Sequence, residues 1–125
     1  MDGLKAAGGS LLLGSIVLVC ILAWALPAVA APICGKASFY CCEHHGRQTA
    51  SGEVFNQNAM TAAMLDRRML GKRVRVTSGD RSVVVRVNDL GGFGKYGRII
   101  DLSRGAFAKL ASTDAGVIRV CLEVM

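Results

Sequence analysis

The longest regular alternation of apolar and polar positions lies between Lys72 and Val87. Val74 and Val76 alternate with Arg73, Arg75 and Thr77, the period of two that marks a strand buried on one face. Ser78-Gly79-Asp80-Arg81 interrupts the pattern with turn residues and Val83, Val85 and Val87 resume it, which predicts a β-hairpin. Shorter runs extend the picture. Gly35–Tyr40 reads as a strand with aromatics at its exit, and Arg98–Ser103 as a segment that re-enters the core. Ser103 suits the N-cap of a helix over 104–111, with Ala106, Phe107 and Leu110 facing inward. In the final strand, Val117–Val124, Ile118, Val120, Leu122 and Val124 alternate with Arg119, Cys121 and Glu123. Met60–Met64 fits a short helix or a buried strand. Cys41–Asn58 is a polar loop and Leu65–Leu70 a solvated connection. Six short strands and one short helix imply an all-β fold closed into a small barrel, which leaves no exposed strand edge.

The N-terminus follows another rule. Lys5 precedes a nearly continuous apolar run from Leu11 to Leu26, and Pro27-Ala28-Val29-Ala30 ends it with a small-x-small pattern. This predicts a signal peptide over 1–30, cleaved after Ala30, and an exported domain over 31–125. An uncleaved anchor is the competing reading, because the run is near the lower length limit for crossing a bilayer. No lipid anchor is expected, since Val19 before Cys20 and Ile33 before Cys34 replace the small residue of a lipoprotein signal. The run also accounts for the positive mean hydropathy of +0.41.

Cleavage would remove one acid and one base, Asp2 and Lys5, and leave the net charge of +6 unchanged. A basic exported domain is drawn to anionic polymers and surfaces of the cell wall, and nucleic acid is not expected as its partner. Cys34, Cys41, Cys42 and Cys121 would remain, an even number that suggests disulfides in an exported domain. Adjacent residues are too close for an ordinary bridge. The expected pairing therefore joins Cys34 to one of Cys41 and Cys42, and Cys121 to the other.

Three constellations could carry chemistry. Cys41-Cys42-Glu43-His44-His45 gathers soft ligands, but zinc sites space theirs by two or more residues, so disulfides and solvent-facing histidines are expected and no metal. Thr49-Ala50-Ser51-Gly52-Glu53 could offer hydroxyls and a carboxylate to a sugar, or satisfy its own turn. Asp89 stands at the lip of a strand before a loop with Gly91, Gly92, Gly94 and Gly97, where a large ligand can approach the backbone. Its bland alternative is a turn cap. Asp101, between Ile100 and Leu102, is expected to be structural, satisfying backbone or Arg98. A single carboxyl can protonate a leaving oxygen and then take a proton from a hydroxyl of the substrate itself.

GKASFY at 35–40, HGRQTASGEVFN at 45–56, AMTAAM at 59–64, VVVRVND at 83–89 and GRIIDLSRGA at 97–106 together resemble the RlpA (rare lipoprotein A) family. These are exported lytic transglycosylases of the septal ring with a double-psi β-barrel. The resemblance implies that fold and cleavage of peptidoglycan glycan strands between N-acetylmuramic acid and N-acetylglucosamine, leaving 1,6-anhydro ends, without a cofactor. It implies Asp89 as catalytic acid/base, with Thr49, Ser51, Glu53 and Arg98 binding substrate. The family's second catalytic position, a histidine, is Met64 here. A thioether cannot move protons, so the role would be vacant or would pass to His45 or His44. The family's DRGP motif reads Asp89-Leu90-Gly91-Gly92, and the glycan-binding SPOR domain of some members has no counterpart, so septal targeting is not expected. The competing functions are a non-catalytic glycan-binding barrel, as in expansins, and a disulfide-stapled interaction protein. The chain is expected to act as a monomer in the periplasm or outside the cell.

Overall fold

A computed structural model describes residues 31–125, so the predicted signal peptide lies outside the described residues. Six strands form one closed barrel: β1 (Ile33–Tyr40), β2 (Thr61–Met64), β3 (Arg73–Ser78), β4 (Arg81–Leu90), β5 (Arg98–Ser103) and β6 (Ile118–Val124). Among the described residues a single α-helix, α1 (Arg104–Leu110), follows β5. Around the barrel the order is β1-β5-β2-β4-β3-β6. Two neighbour pairs, β1/β5 and β2/β4, run parallel, and each shifts register once, at Lys36/Ala37 and at Ala62/Ala63. The other neighbour pairs are antiparallel.

The valine alternation places Val74, Val76, Val85 and Val87 in the barrel interior, joined by Ile100, Leu102, Val120 and Leu122. Val124 breaks the expected alternation: it is 52% exposed, because the barrel interior ends at Leu122. The hairpin is the tightest form, with Ser78 paired to Arg81 across Gly79-Asp80. Met60–Met64 resolves in favour of the strand. Thr61, Ala62 and Ala63 are all buried, as a strand wedged between β4 and β5 requires. Ser103 caps α1 as expected: its Oγ accepts from Ala106 N (3.1 Å) and donates to Ala59 O (2.5 Å). Ala106, Phe107 and Leu110 then close one end of the core. Gly105 admits α1 at close range, since a Cβ there would stand 2.7 Å from Asn58 O.

The cysteine pairing differs from the expectation. Cys34 is bridged to Cys121, because β1 and β6 pair antiparallel with these two residues opposite each other, Cα atoms 4.0 Å apart. Cys41 and Cys42 lie past the end of β1 in a turn and keep free thiols. Sequence distance hid the strand pairing: 87 positions separate the bridged residues.

Candidate active site

β4 does not end with the valine alternation at Val87 but continues through Asn88, Asp89 and Leu90 beside β2. That extension fixes the position of Asp89. Its register partner on β2 is Ala63, and the partner of Ala63 on the other side, in β5, is Asp101. Laterally paired residues share a face of a sheet, and adjacent strands lie about 4.8 Å apart. Asp89 and Asp101 therefore stand on one face with backbones about 10 Å apart, separated only by the methyl group of Ala63. All three line an open cleft of about 380 Å³ together with Tyr40, His44, Leu90, Gly91, Gly92, Phe93 and Arg98.

Asp89 is held by backbone. Its Oδ1 accepts from Ala50 N at 3.0 Å and from Leu90 N at 2.9 Å. Oδ2 has no hydrogen-bond partner among the described residues and is free for a ligand. Asp101 is held by side chains: Ser38 Oγ donates to its Oδ1 at 3.0 Å and itself accepts from Arg98 Nη1 at 3.2 Å. Arg98 thus reaches Asp101 through Ser38. Burial raises the Asp101 carboxyl above the ordinary range, against the opposing pull of Ser38 and of the Arg98 and His44 charges, while the Asp89 charge adds to the rise. The expected structural role is only half of what Asp101 does. It braces β1 against β5, and it also faces the cleft.

Tyr40 forms the wall nearest the loop. Its ring stacks on Phe55 (centroids 4.5 Å apart) and meets the His44 imidazole edge-on at 5.5 Å. Its hydroxyl is buried without a hydrogen-bond partner among the described residues. Burial, reinforced by the Asp89 and then the Asp101 carboxylates, pushes the phenol far up, so it remains a donor at any ordinary pH. An unpaired buried donor is costly unless a ligand completes it. Arg98 lies over the Phe93 ring, 5.8 Å from its centroid, and brings a guanidinium to the cleft.

The other sequence candidates separate clearly. His44 lines the cleft; His45 turns away, its Nδ1 accepting from Gln57 N at 3.2 Å. Met64 packs against the barrel core and is not among the cleft residues. Thr49, Ser51 and Glu53, expected to bind substrate, are engaged in hydrogen bonds within their own loop and to β4. Thr49 Oγ1 donates to Glu53 O at 2.8 Å and meets Ser51 Oγ at 3.0 Å. Glu53 forks onto Arg86 of β4 at 2.5 and 2.7 Å, which lowers its carboxyl below the usual range. Ser51 N donates to Asn88 O at 3.1 Å. These bonds seat the loop on β4 and aim Ala50 N–H at Asp89. Sequence reasoning missed Tyr40 and Ala63 as cleft residues, and Ser38 as the side chain that holds Asp101. The aromatic exit of β1 was the one signal for Tyr40.

A half-buried carboxyl, an anchored carboxyl, a phenol donor and an imidazole around one open groove are equipped for acid–base chemistry. A second groove of about 410 Å³ beside α1, lined by Asn58, Arg81, Arg104, Ser112 and Thr113 among others, has neither carboxylate nor imidazole.

Comparison with known proteins agrees with this geometry. The family model described as lytic transglycolase matches residues 33–122. A protein of Synechocystis named probable endolytic peptidoglycan transglycosylase RlpA is 50% identical over 95 residues, covering 73% of this chain and 28% of the relative. The endolytic peptidoglycan transglycosylase RlpA of Pasteurella multocida is 45% identical over 93 residues, covering 73% of this chain and 31% of the relative. The chain thus spans about a third or less of the length of these relatives. Among solved structures, Streptomyces papain inhibitor superposes with a TM-score of 0.65 at 25% identity, over 78% of this chain and 96% of that one. An expansin of Clavibacter michiganensis, solved with cellohexaose, gives 0.62 at 21% identity over 76% of this chain and 50% of that one, a likeness of fold.

Proposed function

Since the chain belongs to the RlpA-like family of lytic transglycosylases with a double-psi β-barrel, we propose that its barrel cleaves peptidoglycan glycan strands as an exported lytic transglycosylase. The observation that carries the reading is the placement of Asp89 and Asp101 on either side of Ala63 along an open groove. An open groove gives a polymer access to these residues, and the net charge of +6 suits an anionic wall.

Asp89 is the acid/base of the proposed reaction. Its free Oδ2 protonates the glycosidic oxygen that leaves N-acetylmuramic acid. The C6 hydroxyl of the same sugar then attacks C1, and Asp89 takes the hydroxyl proton. The 1,6-anhydro product forms without water, so one carboxyl serves both steps. The Tyr40 phenol supplies a hydrogen bond to a sugar oxygen, and Arg98 and Asp101 hold hydroxyls on the facing wall. His44 takes the part of the family histidine, whose position is Met64 here. Export by the segment 1–30 and cleavage after Ala30 deliver the domain to the wall. No cofactor enters the scheme.

The test is mass spectrometry of soluble products after incubating purified full chain with stem-peptide-free glycan strands, beside an Asp89→Asn variant. Anhydro-ended fragments that disappear in the variant are the expected result. Reducing-end fragments would overturn the reaction type. Binding to the strands without fragments would move the protein to the expansin-like, non-catalytic class.

A further inference from the structure

Cys41 and Cys42 take no part in the proposed reaction. Their Sγ atoms are nevertheless 2.9 Å apart, in contact, on the outer side of the cleft wall formed by Tyr40 and His44. Both belong to one tight turn, closed by His44 N donating to Cys41 O at 2.9 Å. The other two cysteines of the domain, Cys34 and Cys121, are already joined to each other, so neither is available to these thiols. Cys42 is exposed and Cys41 half-buried, and Phe39, Tyr40, Glu43 and His44 border an open recess of about 350 Å³ around them.

We propose that Cys41 and Cys42 form an oxidisable vicinal dithiol, a redox site that exchanges with small-molecule disulfides. Cys41 is the attacking sulfur and Cys42 the resolving one. Either sulfur can donate in the hydrogen bond between them; with Cys42 as donor, it lowers the Cys41 thiol below its ordinary value, the Arg104 charge adds to this, and the same contact raises Cys42. In the first step the Cys41 thiolate attacks one sulfur of the small disulfide, forming a mixed disulfide and releasing one small thiolate. In the second, Cys42 loses its proton and attacks the Cys41 sulfur, expelling the second small thiolate. The dithiol gives up two electrons and two protons, and the small disulfide leaves as two thiols. Adjacent Cα atoms are held about 3.8 Å apart by a trans peptide, below the usual span of a disulfide. The ring is therefore strained, and strained exposed bridges are the easily reduced ones. The same strain that argues against a permanent bridge here favours a reversible one.

The full chain is equilibrated in buffers of reduced and oxidised glutathione, quenched in acid, alkylated with maleimide and digested with trypsin. The peptide Ala37–Arg47 carries Cys41 and Cys42 and no other cysteine. As the buffer becomes oxidising, this peptide is expected to lose both maleimide labels together and become two hydrogens lighter, without a glutathione adduct. The Cys42→Ser variant is expected to stop at the first step, with glutathione on Cys41. Retention of both labels in oxidised glutathione, accumulation of adducts on the unaltered chain, or cross-links to peptides carrying Cys34 or Cys121 would each overturn the proposal.

Discussion

The backbone N–H of Ala50 donates to Asp89 Oδ1 at 3.0 Å across 39 positions of sequence. That bond depends on the Glu53–Arg86 fork, which fastens the Ala50 loop to β4. Glu53→Ala and Arg86→Met should therefore both lower the rate of product formation, by about tenfold, by loosening the acid/base. The pair is exposed, so the loss of stability should stay within about 1 kcal/mol. A sugar-binding Glu53 would behave differently: its variant would raise KM, and Arg86→Met would not reproduce the effect. Measuring kcat and KM for both variants decides between the two.

Ala63 gives a sharper test of the cleft. It is 4% exposed and lies between Asp89 and Asp101. Ala63→Val would place two methyl groups in the space where the scissile bond is proposed to sit. Overpacking costs about 1–3 kcal/mol, which thermal unfolding would register as a modest shift. Cleavage should fall about a hundredfold or more, because small displacements of reacting groups are that costly. A folded Ala63→Val protein with undiminished cleavage would show that the reaction occurs elsewhere.

The barrel was legible because its strands obey period two: Val74/Val76, Val83/Val85/Val87 and Val120/Leu122 each mark a buried face. The cap at Ser103 was legible for the same kind of local reason, an oxygen placed three residues before the Ala106 N–H that it accepts. The site was less so. Asp89 stood out beside its glycine loop. Asp101 reads as a structural residue along the chain, and only the β5/β2/β4 order brings it opposite Ala63 and into the cleft. Cys34 and Cys121 pair for the same non-local reason, a strand register that spacing does not encode. Likewise, Thr49 and Glu53 have the composition of a sugar-binding loop, and only the hydrogen bonds reveal that they serve the turn and Arg86.

Asp101 predicts a pH dependence. Its carboxyl is raised in the folded protein, chiefly by burial. Between its unfolded and folded pKa values the native state binds more protons than the unfolded state, so stability falls as pH rises through that interval. Asp101 thus costs stability at neutral pH, once it is ionised in both states, and not in acid below both values. Asp101→Asn retains an acceptor for Ser38 Oγ and removes the charge. Its melting temperature relative to the unaltered protein should therefore improve as pH rises from about 4 to 7, the range above the ordinary Asp value. A constant difference across that range would show that Asp101 titrates as it does in the unfolded chain. The same variant should retain anhydro products that Asp89→Asn abolishes; the reverse order would exchange the roles of the two carboxyls.

Of the two histidines, His44 alone borders the cleft, its ring edge-on to Tyr40 and its charge felt at Asp101. His45 is occupied as an acceptor for Gln57 N, and Met64 is packed on the core. If His44 supplies the imidazole of the reaction, His44→Gln should slow cleavage by about a hundredfold, the lower end of the contribution of a general acid or base. His45→Gln should leave the rate unchanged and act only through the loop. Met64→His, which recreates the family residue, should bring no gain, because residue 64 packs against the barrel core and does not line the cleft. The assignment fails if His44→Gln cleaves normally while Met64→His accelerates the reaction. That result would mean that β2 presents residue 64 to the substrate when the glycan strand is bound.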